Sequence, residues 1–136
     1  MLHLEVITPN GSVLNTTVEQ VTAPGVEGEF QVLPAHLPAL VILGGGKLSY
    51  TSKSESKAIY LRGGVAEVSQ GKDNPAEGRV LILAEETQTA DKLDKERAQQ
   101  LKDTAEAMFV KTDYITDAKL ARIRQDIDFA EAVLGA

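Results

Sequence analysis

The chain has 136 residues, 43% of them hydrophobic, with no cysteine, no tryptophan and a formal net charge of −6. Such a length suits one ordinary domain or one domain with a small appendage, around an aliphatic core. The acidity argues against nucleic acid and anionic lipid surfaces, which demand a basic face, and the missing thiols exclude disulfides, thiolate metal sites and a cysteine nucleophile. No run approaches the roughly 20 apolar residues that cross a bilayer. The start, Met1 to Glu5, lacks a basic segment followed by an apolar one, so a soluble protein without a secretory signal is expected.

From Leu2 to about Glu86 the hydrophobic period is two. Leu2, Leu4 and Val6 form a half-buried strand that ends in the turn residues Pro9-Asn10-Gly11-Ser12. A second extended run covers Val13 to Pro24. Leu40 to Leu43 form a short strand, closed by a loop at Gly44-Gly45-Gly46, and Leu48 and Tyr50 continue beyond it. Ser52 to Ser56 make a polar hairpin loop, and Ala58 to Leu61 return the chain. Gly63-Gly64 turn it into Val65 to Val68. A polar loop spans Gln70 to Gly78, and Val80 to Ala84 are the last strand. Short strands at this spacing with Gly/Pro turns predict an antiparallel β-sandwich or flattened barrel. There is no room for helical crossovers, so a parallel sheet is excluded.

At about Glu85 the composition changes. Glycine is absent until Gly135, and Ala, Lys, Asp and Glu dominate. Ala98, Leu101, Ala105, Met108 and Phe109 recur at helical spacing, as do Leu120, Ile123, Ile127, Ala130 and Leu134. Thr89 or Asp91 is a candidate cap for the first helix, with Asp94 near its positive end, and Thr116 for the second. The short link from Lys111 to Thr116 predicts an antiparallel helical hairpin. Two such helices are marginal alone, so the hairpin must dock on something, and what it docks on can change. The expected division is a sandwich over residues 1–86 and a hairpin over 87–136.

Between Gly25 and Pro38, glycines and prolines punctuate the buried-type residues Phe30, Val32 and Leu33, which predicts a short strand between two shaped turns. Gly28, Glu29, Phe30, Leu33, Pro34, His36 and Pro38 spell a pattern that resembles the signature of epsilon subunits of F-type ATP synthases. Gly63-Gly64-Val65-Ala66-Glu67-Val68 and Leu93-Asp94-Lys95-Glu96-Arg97-Ala98 resemble two further motifs of that family, in the same order. Gln31, where many members carry glycine, and the loop Asn74 to Gly78, which looks like an insertion, depart from the pattern.

The resemblance implies a non-catalytic rotor subunit. Its sandwich would bind the gamma subunit and sit on the c-ring, coupling ring rotation to gamma, with Glu29 and His36 at the contacting end. Its hairpin, when extended, would reach the alpha and beta subunits through Lys119, Arg122 and Arg124 and suppress ATP hydrolysis. Asp94 and Arg97 are the positions at which some members hold ATP as a regulatory ligand. No cofactor is required, and the location implied is peripheral, on the cytoplasmic face of a bacterial membrane.

Each residue also has a plainer role. His3 sits on a polar strand face, and His36 can satisfy its own turn. Glu27 and Glu29 are solvated acids, and Asp94 opens a helix. The triple glycine lacks the Gly-Lys-Ser/Thr pattern and the following helix of a phosphate loop. Two histidines in separate motifs make no metal cluster and no catalytic set. The alternatives from other classes are a free-standing nucleotide-sensing module and, less favoured, a small hydrolase.

Overall fold

Alternation of apolar and polar residues produces strands from the second residue onward. The computed structural model describes residues 1–111 and 114–136, so part of the expected link, Thr112 and Asp113, lies outside the described residues. The strands are β1 (Leu2–Thr8), β2 (Gly11–Val18), β3 (Gln20–Gly25), β4 (Gly28–Val32), β5 (Ala39–Ser52), β6 (Glu55–Ser69), β7 (Arg79–Ala84) and β8 (Thr87–Thr89). Helices α1 (Lys95–Lys111) and α2 (Asp117–Leu134) follow. The strand order is β2-β1-β7-β6-β5-β3-β4, with β8 beside β6. Leu2, Leu4, Val6, Val21, Leu43, Leu48, Leu61 and Ile82 fill a dry aliphatic core. Long β5 and β6 serve both layers: the second half of β6 pairs with β7, and its first half pairs with β8.

Four local expectations are corrected. First, β1 and β7 pair in parallel, Leu4 opposite Val80 and Val6 opposite Ile82. The parallel rule concerns strands joined by one crossover. Here the whole sandwich intervenes, and closure of the sheet sets the direction. Second, neither glycine run is a loop. Gly44–Gly46 lie within β5 and Gly63–Gly64 within β6. A Cβ on Gly45 would stand 2.1 Å from the carbonyl oxygen of Gln125 and 2.6 Å from the Phe129 nitrogen. Glycine is there because the backbone of α2 rests on the strand. Third, β7 is not the last strand, since β8 pairs Thr87 with Leu61 and Thr89 with Ile59. The sheet thus runs past residue 86. Fourth, the residues at helical spacing are buried only in part, and α2 also buries Phe129 and Val133.

In α1, Ala98, Leu101 and Ala105 are buried, whereas Met108 is 40% and Phe109 55% exposed. In α2 the buried set is Ile123, Phe129, Ala130 and Val133; Leu120, Ile127 and Leu134 are only partly covered. The reason is placement: α2 lies between α1 and the strands β5 and β6, so two of its faces are covered. Tyr60, pointing out of the sandwich, joins Ala98, Leu101, Phe129, Ala130 and Val133 in a second core. Lys95 Nζ donates to the carbonyl of Ala136 at 3.1 Å, and Lys102 lies beside Glu131, so the helices are antiparallel. Thr116 caps α2, its hydroxyl accepting from the Lys119 amide at 3.1 Å.

Candidate functional site

At one end of the sandwich, β4 is held between two turns, as its punctuation predicts. Gly28, at φ +132°, closes the β3–β4 hairpin, and Ala35 adopts φ +67° in the turn after Leu33. Glu29 is exposed on β4, opposite Pro24. His36 is half-buried; its amide donates to Leu33 O at 3.1 Å and its Nδ1 lies 2.6 Å from Leu37 O. Both side chains line one groove with Val26, Phe30, Leu40 and Ile42. The structure therefore brings Glu29 and His36 together at a single polar edge with an apolar floor.

The outer face of the adjoining sheet carries an apolar row. Ile42 pairs with Val65, Val65 with Leu83 and Leu83 with Ile7, all on the side away from the core. Ile42 is 55%, Leu83 49% and the neighbouring Leu40 71% exposed. Val26 extends the row into a second groove of about 480 Å³ along the first half of α2, lined by Asp117, Leu120, Ala121, Arg122, Arg124 and Asp128. Partial burial there, with Glu131 close by, raises the Asp128 carboxyl above the usual range.

A third constellation joins the hairpin to the sandwich. Arg62, on β6 between Leu61 and Gly63, donates from Nε and Nη2 to both carboxylate oxygens of Asp126 at 2.7 and 3.0 Å. Its Nη1 donates to Glu86 Oε1 at 3.2 Å. Glu86 also accepts from Arg97 Nη2 at 2.9 Å and Nε at 3.2 Å. These hydrogen bonds, foremost those from Arg97, hold the Glu86 carboxyl below its ordinary range, and the bond to Asp126 raises Arg62 further. On the rim, Arg122 lies 2.8 Å from Glu85, which also accepts from Gln125.

Of the residues singled out in the sequence, Asp94 caps α1: its Oδ1 accepts from the Arg97 amide at 2.9 Å. Neither Thr89 nor Asp91 does so, because buried Gln88 fixes the chain just before the helix. Gln88 accepts from the Asp94 amide at 2.7 Å and donates to the Asp94 carbonyl at 3.2 Å. Arg97 is engaged with Glu86, Arg122 with Glu85, and Lys119 and Arg124 are exposed on α2. Arg62, Glu86 and Asp126 escape a motif-based reading. The available signal was an arginine following the apolar run Ala58-Ile59-Tyr60-Leu61, which is too apolar for a strand with one wet face. Among the described residues, no cluster of acids and histidines has the arrangement of a metal site.

A β-sandwich followed by a helical hairpin docked on its strands β5 and β6 is the class of protein that this arrangement defines. Residues 1–90 match the family described as ATP synthase, Delta/Epsilon chain, beta-sandwich domain. The ATP synthase epsilon chain of Nitratidesulfovibrio vulgaris (strain DP4) is 40% identical over 131 residues, 96% of this chain and 84% of that one. The epsilon chain of Lawsonia intracellularis is 37% identical over 112 residues, 82% of this chain and 79% of that one. The chain belongs to the family of ATP synthase epsilon chains. Among solved structures, a chain of the Euglena gracilis mitochondrial ATP synthase aligns with a TM-score of 0.68 at 22% identity, covering 96% of this chain and 77% of that one. A chain from the central stalk and c-ring of the Tetrahymena thermophila enzyme aligns at 0.61 and 18% identity, covering 97% and 96%. At these identities the structural likeness speaks for the fold.

Proposed function

We propose that this chain is the non-catalytic central-stalk subunit that couples rotation of a c-ring to the gamma subunit, with the catalytic sites in other subunits. The observation that carries the reading is the exposed apolar row Ile42–Val65–Leu83, flanked by Leu40 and Val26. A contiguous apolar face on a sheet already filled on its other side is a partner surface. Gamma covers it. The adjoining Glu29/His36 edge, whose groove shares Val26, Leu40 and Ile42 with that row, is polar and suits the polar loops of the ring. No helix among the described residues is long and apolar enough to cross a membrane. Seated on the ring, the subunit attaches peripherally, on the cytoplasmic face in a bacterium.

The hairpin supplies regulation. Docked, it buries Phe129 and Val133 against Tyr60. Extended, it carries the exposed Phe109, Val110 and Tyr114 end, and Lys119, Arg122 and Arg124, to the alpha and beta subunits and restrains hydrolysis. ATP enters as a regulatory ligand only by competing with Glu86 for Arg97, since Asp94 is spent on the helix cap.

The test is hydrolysis by an alpha-beta-gamma subcomplex titrated with the full chain, with residues 1–90, and with Leu83→Glu. The cut follows residue 90 so that β8 is kept. The full chain binds and inhibits, 1–90 binds without inhibiting, and Leu83→Glu loses at least about tenfold in affinity for gamma, as expected for a central apolar contact. Undiminished gamma binding by Leu83→Glu would refute the assigned face, and no binding by any form would refute the rotor role.

A further inference from the structure

We infer that the docked hairpin is held by a ligand-independent ionic latch, in which Arg62 of the sandwich grips Asp126 of α2 and, through Glu86, Arg97 of α1. The inference concerns the free chain and stands whether or not the hairpin inhibits a motor.

Three features carry it. The Arg62–Asp126 pair is bidentate, the geometry in which a guanidinium gains most. Its side chains are only 16% and 14% exposed, so it is screened less than a surface pair. Arg62 and Arg97 balance Asp126 and Glu86, the Arg122 guanidinium 3.8 Å from Asp126 is itself balanced by Glu85, and Arg62 Nη1 has Glu86 to bond, which removes the unpaired charge that makes half-buried pairs costly. The Arg62–Asp126 and Glu86–Arg97 links cross from the sandwich to a helix, so undocking breaks both at once, while Arg62–Glu86 stays within the sandwich and ties the two together. Once released, the same groups are solvated, and the latch is reversible.

The position of Asp126 follows from Gly45. Because α2 rests on strand backbone at residues 125 and 129, Asp126, next to Gln125, is brought level with Arg62, the pairing partner of Gly45 across the ladder. Glu86 already fills the phosphate-like role on Arg97. The closed hairpin therefore needs no nucleotide to neutralise Arg97 or Arg122.

The chain has no cysteine, so spin labels on cysteines introduced at exposed Thr17 and Lys119 report the sandwich-to-α2 distance cleanly. Gly45→Ala, which drives a methyl group into the helix without altering charge, supplies the undocked reference. Without nucleotide the parent shows one docked distance, and Mg-ATP leaves that population unchanged. Asp126→Asn and Arg62→Gln each raise the undocked-to-docked ratio about tenfold, and the double variant raises it no further than the larger single effect. Asp126 is on the helix, so its variant leaves the sandwich fold intact, as the β-sheet circular dichroism will show. A parent that docks only when Mg-ATP is added, single variants as docked as the parent, or independent additive effects would overturn the latch.

Discussion

Glu86 accepts hydrogen bonds from two arginines that arrive from different elements, Arg62 on β6 and Arg97 on α1. Its carboxyl titrates below the ordinary range, first because of the bonds from Arg97 and then by attraction to both guanidiniums. The sign follows directly. A folded-state value below the unfolded one stabilises the native state above the unfolded value, about 4.3 for glutamate, and that stabilisation disappears as pH falls through the folded value. Thermal melts of the parent and Glu86→Gln between pH 7 and 3 check this. The parent loses more stability than the variant over the acidic limb, and equal losses would remove Glu86 from the account. Residues such as these were hard to find in the sequence. An acid after a strand and an arginine before a glycine have no meaning until α1 and α2 are placed over them.

The elements meet the sandwich at their ends as much as along their faces. Helix α1 starts where Gln88 of β8 clasps the Asp94 peptide from both sides and the Asp94 carboxylate receives the Arg97 amide. Asp94→Ala removes one cap and should cost about 1 kcal/mol of helix stability. Amide exchange locates the effect: faster exchange in the first turn of α1, with the β5–β6 amides unchanged. If exchange in α1 is unaltered, the cap role is wrong and a ligand role for Asp94 gains ground. Elsewhere in the elements, Thr116 is the cap its sequence predicts, and Lys53-Ser54 turn the β5–β6 hairpin with φ near +52° and +65° inside the loop expected there. The helical stripes were legible in part. Spacing finds Ala98, Leu101, Ala105, Ile123 and Ala130, but Phe129 and Val133 belong to a face that exists only because Tyr60 stands opposite.

At the scale of the whole molecule, the two cores differ in what they require. The sandwich core draws on strands β1 to β7 alone, whereas the second core draws Tyr60 from the sandwich and everything else from the hairpin. Residues 1–90 should therefore fold by themselves with Tyr60 newly in water. Tyr60 is 7% exposed in the full chain. Tyrosine solvent perturbation of residues 1–90, compared with its Tyr60→Phe variant, reads that change. A Tyr60 still shielded in the truncated chain would mean that the sandwich closes over the site, and the hairpin would then not be a separable element.

The sequence by itself determined the division into strands and helices, the shaped Gly25–Pro38 stretch and the family, because local periodicity, turn chemistry and ordered motifs are all written within a few residues of each other. Only the tertiary structure decided that β1 and β7 run parallel, that Gly45 is a seat for a helix rather than a loop, and that Arg62, Glu86, Arg97 and Asp126 form one cluster. Those features join residues as distant in the chain as His3 and Arg79, Arg62 and Asp126, and Gly45 and Phe129. Their energies come from close approach and shared desolvation, which no local pattern of residue types encodes.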